Sequence, residues 1–533
     1  PLTYISSQIS LSDKDITKIY PFFSGRLKGQ AKFSINLKLP GFIRGYELID
    51  PQLTLESSLK NLEITLPSPF GKGLSKPSSL KLISKYVSKE DRLEVNLNYK
   101  NFLRGKFLYG DKSSEGFVIL GEGSYPLELV QNKFFVSGSL KKLDLSQYIS
   151  FSSEYTLPLD KELFFIKNLK VKEMQLGSMV LKETLIDMER ADKSFKFFLI
   201  SEALKGIVLF PDSKKQEISV DLDYLKLNDL DQSPEIFFRS VMQNMKVPVL
   251  FSVHSLEVDK ELFGSWKFNL SSTQRQMTFK DIEGNYGRWR VGKIGDKTNS
   301  RLTLNKNSKG WTTNLNTSLF SDSPNKAFDD LSLEVNFSSE RVEFFPEISW
   351  KGFPQDFSIE SFTGSLGFNF NELLFEDIGE EQEATSGVLK IISIFNVTDT
   401  FEKLTNLNFD KFYKSGFSLD NAKGVLSINR NKVLIRDPIM FYSGSSKYRW
   451  TGYAKKSKKG EFTDLDLEVI MTLPLKDYLP AYAFLLGGPL TAGVVYIAGK
   501  AFEKRLDKLS SGKWRIWGNI ENPKTEFKGW FED

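Results

Sequence analysis

Apolar and polar residues alternate with a period of two through most of this chain, and that pattern constrains its fold more than any other. Phe33, Ile35, Leu37 and Leu39 alternate with Ser34, Asn36 and Lys38. Leu62, Ile64 and Leu66 alternate with Glu63 and Thr65, and Leu93, Val95, Leu97 and Tyr99 with Glu94, Asn96 and Asn98. The runs Ile218 to Tyr224 and Leu331, Leu333, Val335, Phe337 repeat the pattern. Successive side chains of a strand point to opposite faces, so each run predicts a half-buried strand with one apolar face. Turn-forming stretches such as Tyr109 to Gly116 and Asn305 to Gly310 lie between runs and predict an antiparallel meander.

Helical periodicity is scarce. Ser233-Pro234-Glu235 reads as an N-cap with proline at the first helical position, opening a short helix near 234–245. A second is expected near 386–406, through Leu389, Ile392 and Phe395, after the acidic loop Glu376 to Glu383. No low-complexity linker separates these parts. The expected organisation is a β segment over 1–230, its continuation with the two helices over 231–477, and a closing helix and strands over 478–533. One strand per ~15–20 residues gives about 30, which at 4.7–4.9 Å per strand extend about 140 Å. Such a sheet must curl into a closed barrel or a gutter. The fold expected is therefore mainly β: an elongated, curled antiparallel sheet forming a long hydrophobic groove. Phe33, Ile35, Leu37, Val95, Leu97, Val335 and Phe337 are its candidate lining.

Composition supports a lining and argues against catalysis. Phenylalanine numbers 45 of 533 residues, roughly double ordinary usage. The chain has no cysteine and one histidine, so common zinc sites, thiol catalysis and a Ser-His-Asp triad have almost nothing to build on. His254 sits on the polar beat of Phe251 to Val258 and is expected to face solvent. Glu380-Glu381 and Asp329-Asp330 are adjacent carboxylates that diverge if they lie on strands. Gly284 to Gly292 lacks the context of a phosphate loop and reads as a turn and strand. A net charge of +5 is too mild to imply nucleic acid. No enzyme, cofactor or metal is expected.

Near the end, Tyr478 to Gly499 carries no charge, and Gly487-Gly488-Pro489 breaks the run. A helix from about Pro489 to Leu509 would be roughly 31 Å long. Its apolar half holds Pro489, Leu490, Val494 and Ile497 and matches about one leaflet of a ~30 Å hydrocarbon core. Lys500, Lys504 and Arg505 then fall at headgroup depth, with Phe502 among them. These residues are expected to contact membrane, with Gly487 and Gly488 as hinge. The other reading is a buried helix that caps the fold.

Four stretches carry a resemblance: Leu55 to Lys72 (LESSLKNLEITLPSPFGK), Val136 to Leu145 (VSGSLKKLDL), Trp350 to Leu366 (WKGFPQDFSIESFTGSL), and Asn408 to Asp420 with Gly512 to Pro523. In this order they resemble the YhdP family, a branch of the AsmA-like proteins. Where that family usually has paired arginines, the chain has Glu402-Lys403-Leu404. The resemblance implies a periplasmic Gram-negative envelope protein, anchored in the inner membrane by a segment outside this chain and reaching the outer membrane. It implies phospholipid as cargo, carried through a β-groove, and no catalytic residues. Exposing a lipid's ~30 methylenes costs on the order of 20 kcal/mol, which an apolar gutter would largely remove. The alternative is a structural or outer-membrane β-protein with a filled or pore-like interior.

Overall fold

The computed structural model describes residues 3–39, 50–124, 129–144, 164–176, 179–211, 216–227, 247–292, 300–331, 337–358, 361–375, 417–443, 446–456, 462–472, 511–519 and 524–531, with isolated residues between them. The expected helix near 386–406, the acidic loop before it and the whole stretch Tyr478 to Leu509 lie outside the described residues. So do Gly487, Gly488, Pro489, Leu490, Val494, Ile497, Lys500, Phe502, Lys504 and Arg505.

Thirty strands occur among the described residues, and the fold is mainly β. Two compact units divide them, one formed chiefly by residues 1–261 and the other by 275–533. In the first, strands join their sequence neighbours: Thr3–Ser12 pairs with Leu27–Leu39, which pairs with Gln52–Ser57, and so on to Val249–Val258. Strands reach thirteen residues, as in Leu27–Leu39 and Phe164–Leu176, longer than the six to eight over which alternation is visible. The ladder continues through Lys28-Gly29-Gln30 because backbone pairing does not require an apolar side chain.

The meander is not wholly antiparallel. Ser114–Gly121 runs parallel to Phe134–Asp144, that strand parallel to Phe164–Leu176, and Ile218–Leu227 parallel to Val249–Val258. Parallel neighbours need a crossover of about a dozen residues or more. Residues 122–133, 145–163 and 228–248 supply that length. Within the last, Glu235, Phe238, Arg239 and Met242 are helical, as expected from Ser233-Pro234. Register shifts at Ile166/Leu169 and Lys205/Gly206 bend their strands, and such bulges curl a sheet.

In the second unit, Ile439 faces Trp450, Trp450 faces Val469, and Val469 faces Trp514 across four strands. Ile439, Trp450 and Val469 are 0% exposed. The alternation of Arg341–Lys351 is equally sharp: Val342, Phe344, Ile348 and Trp350 are buried, while Glu347 and Lys351 are exposed. This face is a packed core.

One expected strand is overturned. Leu331, Leu333 and Val335 follow a short helix, Pro324–Asp330, and only Phe337–Ser338 is strand. Ser323-Pro324 starts that helix, with proline in its first turn. Leu331 caps it, and the Leu333 N–H donates to the Phe328 carbonyl, so the chain leaves in a turn. Asp329 and Asp330 therefore end a helix. Asp330 binds Arg288 through its guanidinium and backbone N–H, both at 2.7 Å. Gly284 to Gly292 is a strand, turn and strand, as read from sequence.

Candidate functional site

Cross-strand partners in a β-ladder share a face, so the registers of the first unit trace its two surfaces. Ile35 faces Leu55, Leu55 faces Leu82, Leu82 faces Leu97, and Leu97 faces Gly105. The row runs on through Val118, Val136, Ile166 and Met188. It then passes Phe197, Val208 and Val220 to Phe251. Twelve successive pairings carry it across thirteen strands without a charged or polar side chain. At about 4.8 Å per step it is roughly 58 Å long, measured along the sheet.

A second row lies two residues along each strand: Leu37, Leu53, Ser84, Val95, Phe107, Gly116, Phe134 and Phe164. The reverse face is polar around Asn36, Thr54, Asn96 and Lys106, and turns aromatic at Phe117, Phe135 and Phe165, which follow Lys106 in register. Glu56 faces Lys81, with an ion pair of 2.7 Å, and Asn96 faces Lys106. Gly123, at the start of the first crossover, approaches Ile119 on that reverse side, and Arg104 there donates to the Gly121 and Gly123 carbonyls.

Residues of the long row are half-buried at nearly every position, Gly105 and Met188 being the buried exceptions. A face packed against a second layer would show the near-zero exposure of the second unit's core. This row keeps an accessible apolar surface, while its neighbour on the same face is buried at Leu120, Leu169, Ile186, Leu222 and Val253.

Of the sequence candidates, Ile35 and Leu97 belong to the long row, and Leu37 and Val95 to the second. Phe33 shares their face but is buried in a small core with Ala31, Leu59, Leu62 and Tyr99. Val335 and Phe337 are elsewhere, against the closed core of the second unit. Phe337, 3% exposed, meets Phe328 and Phe370 edge-on at 5.7 and 5.5 Å. His254 is exposed, with Nε2 3.4 Å from Asp221 on the polar face.

Two features escaped the sequence reading. Glycines on the apolar face seat aromatic rings: a Cβ on Gly116 would come within 2.5 Å of Phe107 and 2.8 Å of Phe134. These rings continue to Phe164, stacked on Phe134 at 5.2 Å, so glycine keeps this surface low where a side chain would make a ridge. The second feature is the segment 58–78, which covers one end of the apolar face. Its strand is only Leu62–Ile64, shorter than the alternation suggests because Pro67 ends pairing. Gly29, at φ +102°, lets it approach, since a Cβ there would lie 2.3 Å from the Asn61 carbonyl oxygen. The motif LPSPFGK was the available signal.

Lys72 Nζ donates to the carbonyls of Leu59, at 2.8 Å, and Leu62. Lys100 Nζ donates to those of Pro69, at 3.0 Å, and Gly71, and the Tyr99 hydroxyl to that of Phe70 at 2.9 Å. Burial pushes the Tyr99 phenol up to about 12. An acid whose folded pKa is raised contributes stability that is complete below its unfolded value, about 10, and is lost as pH rises through 12. Tyr99→Phe should thus remove part of the alkaline loss of stability between about pH 10 and 12. Urea melts of both proteins across that range check it; parallel pH curves would contradict it.

Among the described residues, no helix is long and apolar enough to cross a membrane. The family model described as YhdP protein matches residues 11–525. The chain belongs to the YhdP family. That match takes in all four motif stretches, the segment 58–78 and both rows of the apolar face. No curated protein and no solved structure matches this YhdP-family chain.

Proposed function

We propose that this YhdP-family chain transfers phospholipid between the membranes of the Gram-negative envelope, without chemistry on its cargo. It works in the periplasm. The observation that carries this reading is the continuous apolar row across thirteen strands, half-accessible at most of its positions. Acyl chains laid on the row leave water while the headgroup stays wet. Each methylene sheltered is worth about 0.8 kcal/mol. No residue changes its bonding, which suits a chain with no cysteine and a single exposed histidine.

A photo-crosslinking side chain tests the face directly. Placed at Leu97 or Val136 in cells, it should give adducts with phospholipid; at Asn96, on the polar face, it should not. Absence of lipid adducts at both apolar positions would refute the assignment. The packed core of the second unit favours a second reading, a structural β-protein with a filled interior. Under it, position 97 should crosslink to protein or to nothing.

A further inference from the structure

We propose that Lys72, Lys76 and Lys100, at the capped end of the apolar face, form a binding site for a phosphate group. This rests on the lipid-transfer reading and extends it by naming where the polar part of an amphiphile is held. Lys72 is 6% exposed, and its ammonium meets only the Leu59 and Leu62 carbonyls. The Lys100 ammonium meets the Pro69 and Gly71 carbonyls and lies 5.0 Å from the centre of the Tyr99 ring. Among the described residues, neither has a carboxylate in salt-bridge contact. A buried charge is costly unless paired, and carbonyl dipoles neutralise no charge. Proton affinity is lowered at both: by burial at Lys72, and at Lys100 by burial and then by Lys76 and Lys72. Lys76 is exposed at the rim of the same segment. Three like charges thus converge; Glu63 acts on Lys72 electrostatically but makes no salt bridge to it among the described residues.

The position fits an amphiphile. Tyr99 faces Leu80 and Leu103 on the last row before the cap, and Leu97 lies two residues back on the long row. Leu97 and Lys100 are about 10 Å apart along the chain. A phosphodiester over Lys76 and Lys100, with Lys72 as fixed charge behind, leaves its chains directed along the Leu97–Leu82 row. A phosphate monoester without chains offers the same chemistry.

Calorimetry on the full chain, with soluble probes, separates the possibilities. Dihexanoylphosphatidylglycerol below its micellar concentration should bind. Dihexanoylglycerol, which lacks the phosphate, should bind at least about tenfold more weakly, the loss expected for a charge-assisted contact. Lys76→Ala touches none of the carbonyls that hold the segment and should weaken the phospholipid several-fold, and Lys76→Ala with Lys100→Gln about tenfold or more. Glycerol phosphate binding as tightly as the phospholipid, and weakened by the same variants, would confirm the phosphate site but assign it to free phosphate esters. Equal binding of the two dihexanoyl compounds, or no change in Lys76→Ala and the double variant, would overturn the site. Lipid adducts at Leu97 persisting in that case would show that the transfer reading survives without it.

Discussion

Leu97→Asp is expected to give a folded protein that carries no lipid. Leu97 is a half-buried member of the long apolar row, facing Leu82 on one side and Gly105 on the other. Losing its partial burial costs roughly 1–2 kcal/mol, an amount a domain survives. A carboxylate on the row is different for an acyl chain, because it must shed its water as the chain passes. Phospholipid recovered from detergent-free protein should fall by about a hundredfold, while the thermal midpoint moves by only a few degrees. A folded Leu97→Asp protein that retains its lipid would show that cargo does not travel over this face. Asn96→Asp, on the polar face of the same strand, is the matched control and should change neither quantity.

The second large effect belongs to the other unit. Trp450→Ala should destabilise it by about 3–5 kcal/mol, the usual cost of deleting a large buried aromatic. Trp450 is fully inaccessible, between Ile439 and Val469 on adjacent strands and in edge contact with Phe441 at 5.6 Å. Urea denaturation, followed by tryptophan fluorescence and by a second probe in the first unit, should show an early transition confined to residues beyond 275. A loss below about 1 kcal/mol would mean that this interior is loosely filled. The apolar face would then be available to cargo in both units.

The contrast between Leu97 and Trp450 marks how far the sequence could be read. Both sit on an apolar beat of an alternating strand, flanked by polar neighbours, and their strings look alike. Alternation reports which side of a strand avoids water, and says nothing of what stands opposite. The same limit explains Val335 and Phe337. Their alternation with Glu334 and Asn336 is real, but Ser323-Pro324 starts a helix whose end redirects the chain, so pairing begins only at Phe337. The parallel pairs were invisible for a related reason. Direction depends on how the connection returns, and the sequence of 122–133 does not announce that it joins two parallel neighbours.

Local chemistry determined a great deal by itself. Period-two runs and the turns between them specify a mainly β chain of about thirty strands, because side-chain direction in a strand depends only on position. The lack of cysteine removed thiol chemistry from consideration without any fold. The order of four motifs placed the chain in its family. Tertiary structure alone decided which apolar beats line up into an accessible row and which close into a core. It also decided that Gly105 and Gly116 seat the rings of Phe107 and Phe134, and that Lys72 and Lys100 converge on one capping segment. Those outcomes depend on register and on contacts between residues tens of positions apart. A one-residue slip would turn every side chain to the other face, so they are set by pairing across the sheet.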